Sequence, residues 1–413
     1  METLTGGEVT AFVLLDIALI LVAARLVGYL FTRFGQPRVV GEIVAGVLLG
    51  PTILGARALD ALPAQSQAVL ANIGQVGLLL FIFLAAVEID LELLRRNMWG
   101  VLSIGLGVVA LPVLVGYLIS PALANETFQV AGTSDTGFAL FVGAMLAVTA
   151  LPVMARIFQE KRLTTSRIGA ISVASAAVCT IGMFIVSSVA SSISIGESVG
   201  SITLDVGLVA LYLLGMFVLV RPALAWMVRH EGERLSTETY VTVLVVAIVS
   251  GYVAHVLGLT VIVGGFVAGL VLPKRETLFP QLNARLGELT SAVLLPIFLA
   301  VSGLATDFRL LTGSALVGLL VFLVAAIVSK WVAGAVFARL AGISWAEGNV
   351  VGVMMNCRGL LVLVVALVGI QNGVITPILQ LGAVLVALVT TAMTGPLFDH
   401  YVRKVPGLEP ASN

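Results

Sequence analysis

The sequence predicts an all-α polytopic membrane protein with thirteen transmembrane helices. Three observations predict it: a composition too apolar for a soluble core, apolar runs of spanning length, and basic residues that fall on alternate loops. Of 413 residues, 59% are hydrophobic and 11% are charged, and the mean hydropathy is +1.13. A soluble domain carries about 25% charged residues, and one of this length could not hide so much apolar surface, whereas a bilayer removes that constraint.

A helix needs about 20 apolar residues to cross the hydrocarbon core. Spans are expected near 11–32, 39–50, 69–90, 98–122, 137–158, 168–194 and 203–228, then 238–256, 259–273, 289–304, 312–338, 346–370 and 375–401. The runs at 39–50 and 259–273 are short and are bounded by Pro51 and Pro273, since the residue before a proline avoids the helical region.

Basic loop residues test this register. Arg33, Arg38, Arg95, Arg96, Lys161, Arg162, Arg167, Arg229, Arg234, Lys274, Arg275, Arg285, Arg339, Arg403 and Lys404 all fall on one side. The other side has Arg57 and Arg309, beside Glu126, Asp135, Glu197 and Asp307. An error of one span would scramble the bias beyond it. By the positive-inside rule the N-terminus is expected outside and the C-terminus in the cytoplasm of a cell (inner or plasma) membrane. The first ten residues carry Glu2 and Glu8 rather than a basic region, so no cleavable signal peptide is expected.

The two halves of the chain resemble each other. Gly41-Glu42-Ile43-Val44-Ala45-Gly46-Val47-Leu48-Leu49 reads like Gly264-Gly265-Phe266-Val267-Ala268-Gly269-Leu270-Val271-Leu272, and Leu79 to Ala86 reads like Leu294 to Val301. Seven spans separate the copies, an odd number, so they cross the membrane in opposite senses. Inverted repeats of this kind are a mark of secondary transporters. The alternative is chance similarity between Gly/Leu-rich helices, which two matches in the same order disfavour. Two matched spans also read as broken in mid-membrane. One holds Thr149-Ala150-Leu151-Pro152 and the other Met355-Asn356-Cys357-Arg358-Gly359. Proline removes a backbone donor, and backbone groups freed at that depth must be lined by protein or water, which in transporters forms the ion site. A plain proline kink and a satisfied buried arginine are the alternative.

On these residues the chain resembles the monovalent cation:proton antiporters, in the branch of Kef-type potassium efflux proteins and plant cation/H⁺ exchangers. The likeness also rests on Gly50-Pro51, Ala147-Val148, Val153-Met154-Ala155-Arg156, Pro296-Ile297-Phe298 through Asp307, and Val389 through Pro396. The resemblance implies thirteen helices in the sodium/proton antiporter fold, with a core bundle over approximately 98–194 and 312–401. It also implies a dimerisation or scaffold part over approximately 11–90 and 203–304, a homodimer, and elevator-like alternating access. The short tail after the last span leads us to expect no nucleotide-sensing domain, and no phosphate-binding Gly-rich loop stands in a strand–helix context.

The chain departs from the family pattern where it matters chemically. Family members usually carry two adjacent acids after the first broken helix. Here the matching stretch is Ala176-Ala177-Val178-Cys179-Thr180-Ile181. A further family acid is replaced by Val362, and His255 and Thr260 stand where the family has Glu and His. Cation/proton exchange needs a titrating group and hard oxygens for a dehydrated alkali ion. Thr180 never becomes an anion, and a Cys179 thiolate would be a soft, poor ligand for sodium or potassium. Two basic residues remain in mid-membrane, Lys330 and Arg358. Lys330 could be neutral, could have another partner, or could await an anionic ligand.

The candidate site is therefore Thr149, Pro152, Cys179, Thr180, Lys330, Asn356, Cys357 and Arg358, with Asp16 and His255 as proton-linked candidates. A structural role as small core residues is open for both cysteines, as is a structural hydrogen bond or dimer contact for Asp16. Two cysteines exclude a disulfide framework and a four-thiolate metal site, so neither metal nor cofactor is expected. The expected partners are a monovalent cation and a proton, or a small organic anion, together with the lipid bilayer and a second copy of the chain; nucleic acid is not among them. No nucleophile–base–orienter arrangement supports an enzymatic reaction. The functional readings are a secondary transporter with altered ion coupling, an antiporter scaffold repurposed to bind, export or transform an organic anion, or an inactive relative.

Overall fold

A computed structural model describes residues 5–34, 38–54, 63–88, 98–161, 163, 166–194, 196, 199–231, 234–273, 275, 277–304, 308–311 and 313–406. Of the residues named above, Glu2, Arg57, Arg95, Arg96, Arg162, Glu197, Lys274 and Asp307 lie outside the described residues. The described residues are mainly helical. Helices α1 (Gly6–Arg33), α2 (Arg38–Leu49) and α3 (Ala64–Val87) are followed by α4 (Met98–Leu123), α5 (Asp135–Ala147), α6 (Leu151–Glu160) and α7 (Arg167–Ser194). Next come α8 (Val199–Gly215), α9 (Arg221–Arg229), α10 (Thr237–Val256) and α11 (Val261–Val271). Helices α12 (Leu295–Leu304), α13 (Gly313–Leu340), α14 (Trp345–Met355), α15 (Leu360–Gln371) and α16 (Pro377–Val402) complete it.

Among the described residues eight helices are long and apolar enough to cross a membrane. A ninth span results if Leu278–Gly287 and Thr290–Leu304, bent by 44°, count as one. The expected spans at 39–50 and 259–273 are the 12-residue α2 and the 11-residue α11. At about 1.5 Å per residue neither covers a hydrocarbon core of about 30 Å alone. Single π-helical turns at Met216–Val220, Asn283–Gly287 and Thr290–Leu294 interrupt the spans around them.

The chain divides into two compact units, Met1–Glu88 with Asp205–Arg309, and Ile89–Leu204 with Leu310–Asn413. In the first unit the repeat noted in the sequence sets the packing. Helix α2 packs on α12, and α11 packs on α3, so the first helix of each copy lies against the second helix of the other. Matched glycines make both approaches. A Cβ on Gly46 would stand 2.1 Å from the Ala300 carbonyl oxygen, and one on Gly269 would stand 2.4 Å from the Phe83 carbonyl oxygen. Close backbone approach through small residues is how helices associate where lipid is as apolar as leucine.

The second unit gathers α4, α5, α7, α13 and the broken pairs α5/α6 and α14/α15. Its helices contain prolines whose missing N–H strands the carbonyl four residues earlier. Side chains take those carbonyls over. Pro121 strands Tyr117 O, which accepts the Ser120 hydroxyl at 2.8 Å. In the first unit Ala292 O, in the π-helical turn before Pro296, accepts Arg25 Nη2 at 3.4 Å.

Gly46→Ala should destabilise the protein by about 1–3 kcal/mol or more, because the obstacle is backbone rather than a movable side chain. Gly207→Ala, on an exposed stretch of α8 with nothing within 4 Å of the added methyl, should stabilise by about 0.5–1 kcal/mol through helix propensity. Thermal unfolding of both variants in detergent would test the contrast.

Candidate functional site

Two helices break at the centre of the second unit, and the breaks meet. Helix α5 ends at Ala147 and α6 begins at Leu151, leaving Val148 to Ala150 extended or irregular. Helix α14 ends at Met355 and α15 begins at Leu360, with Gly359 as its N-cap. Ala150 N–H donates to Cys357 O at 2.7 Å, and the Thr149 hydroxyl donates to Met355 O at 2.9 Å. Gly359 lets the strands close, since a Cβ there would meet Val153 at 3.2 Å and Ala150 at 3.3 Å. Pro152, in the first turn of α6, cannot donate to Val148 O, which helps keep α5 from running on.

Breaking α5 exposes the carbonyls at its C-terminus, where the helix dipole is negative. Two buried cations occupy them. Lys330, fully buried on α13, donates from Nζ to Ala147 O, to Val108 O at 2.8 Å and to Cys179 Sγ at 3.1 Å. Arg358, also fully buried, donates from Nη1 to Met145 O at 3.2 Å and from Nη2 to Ala326 O at 2.5 Å. Val108 O is available because Pro112, four residues on in α4, has no N–H for it. Each N–H of the Lys330 ammonium thus has a partner.

The magnitudes explain why these groups occur together. A lysine in mid-membrane costs about 2.5–3.5 kcal/mol on insertion scales. A buried carbonyl with no donor costs about 1–3 kcal/mol. Lys330 answers two such carbonyls, so the two penalties offset each other and removing either partner restores the other's. Of the three states considered for Lys330, this geometry corresponds to another partner: backbone and a thiol rather than a carboxylate.

The remaining candidates divide. Thr149 belongs to the cluster, with its hydroxyl also 3.6 Å from Cys179 Sγ, and Cys179 itself lies 3.2 Å from Ala147 O. Asn356 is 2% exposed, yet neither its amide oxygen nor its amide nitrogen has a hydrogen-bond partner among the described residues; Arg358 Nε is likewise unpaired. Buried polar atoms left open at a helix break are what a ligand or water would satisfy. Cys357 contributes its backbone carbonyl to the crossing.

Thr180 does not join in, because its hydroxyl turns back to Ala176 O of its own helix at 2.8 Å. Asp16 and His255 both belong to the first unit. His255 is exposed in the last turn of α10, and Asp16 is fully buried on α1. Sequence reasoning missed Val108 as a lysine acceptor. Its signal was Pro112 inside an otherwise uninterrupted apolar span, four residues after the carbonyl it strands.

Replacing Arg358 by Leu should lower stability by about 1–3 kcal/mol for each carbonyl left without a donor. It should do so without any cation present, which equilibrium unfolding in detergent would measure.

The comparisons with known proteins fit this architecture. The family model described as sodium/hydrogen exchanger, transmembrane, matches residues 20–404. The chain is 33% identical over 393 residues to the Na(+)/H(+) antiporter NhaS4 of Synechocystis, covering 93% of this chain and 96% of that protein. It is 33% identical to Cation/H(+) antiporter 18 of Arabidopsis thaliana over 93% of this chain and 48% of that one. For K(+)/H(+) antiporter 1 of Saccharomyces cerevisiae the figures are 31%, 95% and 46%. The chain thus spans nearly all of the cyanobacterial relative and about half the length of the plant and yeast ones. Among solved structures, the sodium proton antiporter MjNhaP1 of Methanocaldococcus jannaschii has the same fold, with a TM-score of 0.64 at 15% identity over 94% of this chain and 96% of that one. Taken with the all-helical architecture, these matches place the chain in the transmembrane sodium/hydrogen exchanger family.

Proposed function

We propose that this chain is a secondary transporter exchanging a monovalent cation for a proton across a cell membrane, with the Lys330 amine doing the titrating work that a carboxylate pair does in the family pattern. The observation that supports this most directly is the Lys330 ammonium seated on the Ala147 and Val108 carbonyls. That seat is a cradle for positive charge. When Lys330 gives up its proton, the same oxygens, with the Thr149 hydroxyl and the unpartnered Asn356 amide oxygen, offer hard ligands to an alkali ion. A bound cation and the ammonium would repel each other in a medium that screens charge poorly, so each excludes the other. Such exclusion is the basis of coupled exchange. The names of the relatives, all cation/H⁺ or Na⁺/H⁺ antiporters, support the same class.

In this reading the unit over approximately 98–194 and 312–401 carries the site in an elevator-like cycle. The part over approximately 11–90 and 203–304 serves as scaffold in a homodimer, and the N-terminus lies outside with the C-terminus in the cytoplasm. The organic-anion alternative gains nothing from the geometry. Every N–H of Lys330 and both terminal nitrogens of Arg358 already serve carbonyls or a thiol, which leaves Arg358 Nε as the open donor on these two cations.

Reconstitution into liposomes, with an imposed sodium or potassium gradient and a pH dye inside, tests the proposal. Cation-driven proton movement is expected, abolished by Lys330→Met. Thr149→Val should weaken the apparent cation affinity about tenfold, the equivalent of about 1.4 kcal/mol for one lost ligand. Exchange that persists unchanged in Lys330→Met, or a folded protein silent to both cations, would overturn it.

A further inference from the structure

The first unit holds a buried acid that the exchange site does not use. Asp16 lies on α1, about 15 Å from the helix start at 1.5 Å per residue, and it is fully buried. Around it is an apolar cluster of Val13, Ile20, Leu70, Ile297, Ala300 and Leu304. Its Oδ2 lies 2.5 Å from Ser66 Oγ, and its Oδ1 has no hydrogen-bond partner among the described residues. The Ser66 hydroxyl is in turn 2.8 Å from Pro63 O, the carbonyl at the start of α3.

Counting protons decides between the charge states. A serine hydroxyl has one proton to donate, and two oxygens stand within bonding distance of it. If the proton goes to Pro63 O, then the 2.5 Å contact to Asp16 is a hydrogen bond only when the carboxyl supplies the proton. The 2.5 Å separation lies within the range of O–H···O hydrogen bonds, so one proton must stand between the two oxygens. The ionised alternative leaves a charged group in an apolar cluster with one oxygen wholly unsatisfied, a costly arrangement.

Among the described residues no cation is bonded to it. Helices α3 and α12, packed on α1, contain no Asp, Glu, Lys or Arg. Helix α2, also packed there, contributes Arg38 and Glu42, which pair with each other at 3.0 Å. On α1 itself Glu8 is bonded to Thr5, Arg25 reaches Ala292 O, and Arg33 reaches the Tyr29 hydroxyl.

We infer that Asp16 is a proton-binding site of the first unit, distinct from the exchange site in the second. It is a neutral carboxylic acid that donates to Ser66, which donates to Pro63 O, and this chain ties α1 to the start of α3. The proton comes from water, and its loss at alkaline pH leaves a carboxylate that must take the serine proton back from Pro63 O. The tie between the helices is therefore sensitive to pH.

Infrared difference spectra of the full chain in lipid, between neutral and strongly alkaline pH, test this. A protonated-carboxyl C=O band is expected at neutral pH, shifted in D₂O, absent in Asp16→Asn and displaced in Ser66→Ala. Asparagine is close in shape to the neutral acid and donates the same hydrogen bond, so Asp16→Asn should keep the neutral-pH melting temperature. The folded protein holds a proton that the unfolded chain has given up, so stability falls as pH rises. Relative to Asp16→Asn, the wild-type folding constant should drop about tenfold per pH unit until the folded protein also ionises. Carboxylate bands from Asp16 at neutral pH, or an Asp16→Asn protein that fails to fold there, would overturn the inference.

Discussion

Inside a bilayer a backbone carbonyl has no water to bond, and much of this structure follows from that constraint. Each proline or helix break creates a carbonyl that another part of the protein must serve. Ser120 serves the one freed by Pro121, and Arg25 reaches the Ala292 carbonyl in a π-helical turn. At the crossing of α5/α6 and α14/α15 the same requirement is met by Lys330 and Arg358. The site thus comes from the solution to a backbone problem: where carbonyls cluster, positive charge is stabilised, whether it is carried on a side chain or by an ion.

This view changes the meaning of the missing carboxylates. With an acid beside it, a lysine in mid-membrane is an ion pair. With carbonyls and the Cys179 thiol beside it, it is a cation held by dipoles, which are uncharged and stay put when the amine loses its proton. The oxygens remain arranged for positive charge in either state, and the Asn356 amide at the adjoining break is buried with no hydrogen-bond partner among the described residues.

The first unit is organised by a different element of the same sequence. Paired glycines at Gly46 and Gly269 bring the first helix of each repeat against the second helix of the other. That reciprocal packing buries two helices too short to span alone. Asp16 sits against this framework as a polar group in an apolar cluster, where its hydrogen bond to Ser66 carries the contact.

The sequence by itself determined the membrane class, the repeat, the positions of both breaks and the presence of two cations without an acid. These are properties of composition and periodicity, which need no partner to be visible. Thr149, Asn356 and Arg358 were legible because a break in an apolar span marks itself by its polar residues. What only the tertiary structure decided was which carbonyls Lys330 reaches, that Thr180 turns back into its own helix, and that the Ser66 hydroxyl stands between Asp16 and Pro63 O. Val108, Ala147 and Met145 bond through their backbone, so their side chains carry no trace of the role. A carbonyl is the same atom in every residue, and its availability depends on what the fold places opposite it.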